Sequence, residues 1–105
     1  MFPADQLCET VTVYPGAGMG AYGPLFGEAY TIQVYLEPGV EVILSKTGKQ
    51  VVANLFGVAD GNCVIQADDE IEWNDQRYQV LAVEIYRFAG QTDHVELHFK
   101  SVESP

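Results

Sequence analysis

Three residues on one short stretch are the first candidates for chemistry. In "HVELHF" (His94 to Phe99) the two histidines and Glu96 alternate with Val95, Leu97 and Phe99. Alternation puts His94, Glu96 and His98 on one face of a strand and the apolar residues on the other. Strand rise then places His94 and His98 about 13 Å apart. Zinc bonds to nitrogen are near 2.0–2.1 Å, so the pair needs a third element to share one ion. The row is read instead as a polar strand face, solvated or turned toward a neighbouring subunit.

The acidic run "ADDEIEWND" carries Asp68, Asp69, Glu70, Glu72 and Asp75. Calcium takes carboxylates, but the D-x-[DN]-x-[DN]-G loop with its closing Glu is missing. A charged turn guarding a sheet edge is the expectation. Ser45, Ser101 and Ser104 stand in no nucleophile-elbow context. Gly16, Gly18 and Gly20 mimic the start of a dinucleotide fingerprint, but Pro15 precedes them and no helix pattern opens after them. Cys8 and Cys63 form no CxxC pair and read as free, small apolar residues. No cofactor, metal or enzymatic activity is expected.

The elements that must position these residues are strands. "TVTVY" (Thr10 to Tyr14) alternates, and "YTIQVYL" puts Tyr30, Ile32, Val34 and Leu36 on one face. Pro38-Gly39 is expected to stop that strand. "VEVILS" and "QVVANLFGV" flank "KTGK" as a hairpin, and "ADGN" (Ala59 to Asn62) is a further turn. "EIEW", Asn74-Asp75 and "RYQVLAVEIYRF" form a second hairpin, followed by "AGQTD" and the His94–Phe99 strand. Six or seven strands joined by short turns predict a small antiparallel barrel or sandwich, all-β and one domain over 1–105. The expected core is Ile32, Val34, Leu36, Val42, Leu44, Val80, Val83, Leu97 and Phe99, with Trp73 at a hairpin end. Residues 101–105 are expected to fray.

One stretch breaks this economy. Residues 15–29, inserted between the first two strands, are rich in glycine and hold no Lys or Arg. Connections of that length without regular structure are commonly functional or disordered. Pro15, Gly16, Gly18, Met19, Gly20, Tyr22, Gly23, Pro24, Leu25, Phe26 and Gly27 are therefore the candidate gating or partner-binding residues. Glycine provides freedom, and the large apolar side chains provide contacts when a partner arrives.

Charge narrows the partners. Fifteen acidic residues against five basic leave a net of −10. A surface of that sign repels nucleic acid, because binding needs Lys and Arg to displace counterions from phosphates. It suits a passage that DNA slides through without sticking. A single-stranded nucleic-acid-binding barrel would need a positive groove with aromatic platforms, and five dispersed basic residues make a poor one. No window reaches the roughly 20 apolar residues of a membrane span. The opening "MFPADQLCET" lacks the basic and apolar regions of a signal peptide, so a cytoplasmic location is expected.

The order of features resembles the small head-closure (stopper) and minor capsid proteins in the neck of long-tailed bacteriophages. The resemblance rests on the early long loop in position, on "TGKQVVANLFGV" (Thr47 to Val58), on "DDEIEWNDQRYQVLAV" (Asp68 to Val83) and on "HVELHF". A Gly usually precedes the first Asp of the middle motif, and Asp68 or Ala67 stands there. The resemblance implies a virion structural protein forming a six- or twelvefold ring. The ring would sit below the portal and its adaptor and above the tail terminator or tail tube. It would enclose double-stranded DNA without reading its sequence, retain the packaged genome and dock the tail. The chain would be made in the host cytoplasm and end in the virion, with residues 15–29 closing the channel. A tail terminator or other tail protein is the nearest alternative; a nucleic-acid-binding barrel and a small enzyme lie further off.

Overall fold

The computed structural model describes residues 9–21, 23–44 and 47–102, with backbone alone at Met19, Gly23 and Pro24. The readings made above for Cys8, Tyr22, Ser45, Ser104 and the opening segment lie outside the described residues. All described regular structure is strand: β1 (Glu9–Tyr14), β2 (Gly16–Gly20), β3 (Gly23–Phe26), β4 (Tyr30–Leu44), β5 (Gln50–Asp60), β6 (Glu70–Trp73), β7 (Gln76–Phe88) and β8 (Gln91–Ser101). Six of them close an antiparallel barrel in the order β1-β4-β5-β8-β7-β6, and β2-β3 form a separate two-stranded sheet. The all-β, small-barrel expectation holds. Among the described residues no helix is long and apolar enough to cross a membrane.

Period-two patterning builds the core. Val11 and Val13 of β1, Val34 of β4, Leu55 of β5, Ile71 of β6, Val80 of β7, and Leu97 and Phe99 of β8 all point inward and are buried. Each such side chain is worth about 1.5–3 kcal/mol on transfer from water. Ile32, Leu36, Trp73 and Val83 pack against this cluster from its rim, as expected.

Val42 and Leu44 are corrections. They are 61% and 64% exposed. β1 pairs with β4 only from Tyr30 to Val34, so the barrel closes below them. They ride on the free end of the β4–β5 hairpin, where Val42 faces Val52 across the ladder.

Pro38-Gly39 does not stop β4. The strand runs through, and pairing with β5 shifts register between Pro38 and Glu41. Proline lacks an N–H and is tolerated at a bulge or along a strand edge. Ser101 and Val102, the first two residues of the tail expected to fray, are held in place, and residues 103–105 lie outside the described residues. Ser101 ends β8, its N–H donating to Asn54 Oδ1 at 3.1 Å, and Val102 N–H donates to the Arg77 carbonyl at 2.9 Å.

The turn between β6 and β7 follows its sequence. Asn74 and Asp75 both have positive φ, 51° and 61°. Two left-handed residues make the turn whose twist matches a hairpin, and Asn and Asp are among the few side chains that accept it. Ala89-Gly90 turns β7 into β8 the same way. As a result β8 starts at Gln91, three residues before the expected strand.

Candidate functional site: the glycine-rich arm and its root

The stretch expected to be neither helix nor strand is mostly strand. Gly16 pairs with Phe26, Met19 with Pro24 and Gly20 with Gly23, with a register shift between the first two pairs. The span carries no alternation of apolar and polar types, because five of the residues from Gly16 to Gly27 are glycine. Between its two strands the hairpin is built on backbone pairing, which side-chain pattern cannot announce. Beyond its root, among the described residues, the arm's strands pair with each other and with no barrel strand.

The root is tied down on three sides. Gly27 N–H donates to the Pro15 carbonyl at 2.7 Å, closing the neck of the arm. Asp69 then holds one side. Its Oδ1 accepts from Gly16 N–H at 2.9 Å and its Oδ2 from Gln66 N–H at 2.9 Å. The carboxylate is buried. Asp68 and Asp69 are themselves fixed to β7 by backbone bonds to Val80, at 3.0 and 2.8 Å. Gly16 is also a contact requirement, since a Cβ there would lie 3.0 Å from the Asp68 carbonyl oxygen.

Arg77 holds the other side. Its guanidinium lies 3.8 Å from the centre of the Tyr14 ring and 5.4 Å from that of Phe26. Tyr14 and Phe26 meet edge to face at 6.5 Å. A salt bridge of 3.0 Å to Glu70 aims the guanidinium. A cation over an aromatic face gains about 0.5–2 kcal/mol according to its exposure. Tyr14 ends β1, Phe26 ends β3, and Arg77 and Glu70 come from the β6–β7 hairpin. Three elements therefore converge on the arm.

Between arm and barrel lies a cleft of about 560 Å³, bordered by Gly18, Leu25 and Phe26 on the arm and by Gln66, Asp68 and Gln79 on the barrel. Burial raises the Tyr30 hydroxyl above its usual range, with Cys63 and Asp69 adding to the effect. Burial likewise raises the Cys63 thiol; Asp60 and Asp69 push the same way, and a backbone hydrogen bond at Ile65 pulls against them. Both groups stay protonated at neutral pH. A raised thiol is a poor nucleophile.

The second candidate, the strand face on β8, is not uniform. His98 is 4% exposed. Phe56 lies against it with ring centres 5.6 Å apart. Glu41 stands 3.6 Å from its Nδ1 and Glu84 3.4 Å from its Nε2, on opposite sides of the ring. His94 is half-buried and stacks on Tyr86, with ring centres 4.9 Å apart. Glu96 approaches His94 Nε2 at 3.6 Å. The two histidines thus serve separate neighbourhoods. Among the described residues no three His, Cys, Asp or Glu side chains group as metal ligands.

Sequence reasoning found the arm and missed its anchors. Asp69 was read as a member of a charged turn and Arg77 as the first residue of a strand; what hides Asp69 is distance in the chain, 53 residues from Asp69 to Gly16. No protein-family model and no curated protein sequence matches the chain.

Proposed function

We propose that this chain is a virion structural protein of the phage neck, a head-closure ring subunit whose arm, residues 15–27, closes the DNA channel. The single observation that carries the reading is the arm itself: a glycine-rich hairpin clamped at its root to the barrel and, among the described residues, paired beyond it only between its own two strands. A gate needs a fixed hinge and a span that can change its course at low cost. Glycine supplies the second, and the Asp69 and Arg77 contacts supply the first. The net charge of −10 suits a lumen that packaged DNA crosses without adhering. The role is mechanical and needs no cofactor. Its partners are copies of itself, the adaptor and portal above, the tail below and double-stranded DNA in the channel.

Quantitative mass spectrometry of density-purified particles tests this. A fixed ratio to the portal in filled, tailed particles is the expected result. Absence from intact particles overturns the reading, and presence on tails assembled without heads moves the chain to the tail terminator.

A further inference from the structure

The barrel has two apolar poles of unlike charge. β5 and β8 are antiparallel, with Leu55 opposite Phe99 and Asp60 opposite His94. The β4–β5 turn therefore lies beyond the Ser101 end of β8, and the β7–β8 turn beyond the Asp60 end of β5. The two hairpin tips leave the barrel in opposite directions, on a molecule 44 Å long and 28 × 25 Å across. At the first tip Val42, Leu44 and Val52 are at least half exposed; at the second Ile85 is 58% and Phe88 68% exposed. Water-facing apolar groups clustered at two ends mark contact surfaces more often than singly scattered ones do.

Charge distinguishes the poles. From Val42 to Ala59 the sequence contains no Asp or Glu, although the whole chain has fifteen, and it holds Lys46 and Lys49; Glu41, opposite Ala53, is the carboxylate that borders this stretch on the hairpin. The other pole is acidic: Glu84, Asp93 and Glu96 surround it, with Asp60 opposite His94 and Arg87 the one basic residue on β7 near the tip. Pairing like poles sets Lys against Lys or carboxylate against carboxylate, and leaves the other apolar pole of each copy in water. Pairing unlike poles covers both and matches their charge. The described strands also leave β7 a hydrogen-bonding neighbour on one side only from Val83 to Phe88, since β6 pairs no further than Gln79. That edge can accept backbone from an incoming chain.

We infer that a second copy of this chain occupies each pole, the basic β4–β5 tip of one copy seating on the acidic β7–β8 tip of the next. A contact between unlike surfaces is head-to-tail; it closes into a ring when the rotation permits and otherwise extends as a filament. The inference rests on the ring reading for its setting and on the two poles for its geometry.

The test uses full-length protein with Cys8→Ser and Cys63→Ala, its fold verified by circular dichroism. Val42→Cys and Ile85→Cys are introduced separately, and a short flexible bismaleimide is the probe. Both sites are well exposed, so folding is expected to survive. Cross-linked dimer is expected when the two variants are mixed and not with either alone. Adding Lys49→Glu to the Val42→Cys variant is expected to cut the mixed yield about three- to tenfold at low salt. Equal yield from either variant alone, or no dimer in any combination, overturns the inference. Those failures concern the contact alone, and particle composition still decides the neck assignment.

Discussion

Asp69 reaches across 53 residues of chain to hold Gly16, its Oδ1 accepting the Gly16 N–H at 2.9 Å while its Oδ2 accepts that of Gln66. One buried carboxylate thus sets where the arm leaves the barrel and how the turn before β6 is folded. Asp69→Ala leaves two backbone donors without their acceptor. A loss of about 2–4 kcal/mol is expected, since hydrogen bonds to charged groups are worth about 1.5–3 kcal/mol each. Asp69→Asn keeps one acceptor and should lose less. Urea unfolding measures the loss, and hydrogen exchange at Gly16 reports whether the root has opened.

Shortening the arm separates gate from scaffold. Replacing residues 17–25 by an Asn-Gly turn keeps Gly16 opposite Phe26 and suits a two-residue hairpin. The barrel is expected to melt within a few degrees of the parent, because the core lies elsewhere. In phage carrying this change, DNA is expected to leak from filled heads. Stable filled heads would refute the gating role while leaving the fold untouched.

Gly57 is a packing requirement. A Cβ there would stand 2.9 Å from Phe99 Cε2, 3.1 Å from Leu36 Cδ2 and 3.3 Å from the Tyr35 carbonyl oxygen. Gly57→Ala is therefore expected to destabilise by about 1–3 kcal/mol through overpacking. Thermal unfolding gives the figure, and an unchanged melting temperature would show that Phe99 and Leu36 yield freely.

Alkaline pH is expected to weaken the fold. Burial raises Tyr30 and Cys63, and Tyr86 is pushed up to about 12, chiefly by the bond its hydroxyl donates to Glu84. For a group whose folded pKa is raised, the stabilising protonated form is fully present below the unfolded value and is lost as pH rises through the folded one. Stability should hold through neutral pH and decline from about pH 9 upward, where an unperturbed thiol already ionises. Cys63→Ala should flatten the early part of that decline. In the same range, alkylation of Cys63 by iodoacetamide, followed on its peptide, should be roughly tenfold or more slower in the native protein than in urea. Equal rates would mean that the thiol is not protected.

Much of this molecule is written in short-range pattern. Strict alternation in "TVTVY", "YTIQVYL" and "HVELHF" specifies strands and assigns one face inward, because strand side chains repeat every two residues. Asn74-Asp75 specifies its hairpin, because few side chains accept positive φ. The unusual glycine content of residues 15–29 set this segment apart from the barrel strands, and the structure places it in a sheet of its own. Local pattern stops there. Val42 and Leu44 alternate as well as Val34 does, yet they are exposed, because burial depends on whether a neighbouring strand reaches that height, and β1 does not. The arm's pairing is carried by backbone groups that every residue possesses, so composition hid it. His98 reads as one of a polar row, and only the crossing of Phe56, Glu41 and Glu84 over it makes it buried. The anchors of the arm, Asp69 and Arg77, and the opposition of a basic and an acidic pole are juxtapositions of distant segments. Residue types and their alternation determined the strands; barrel closure, which brings distant segments together, decided which of their side chains meet.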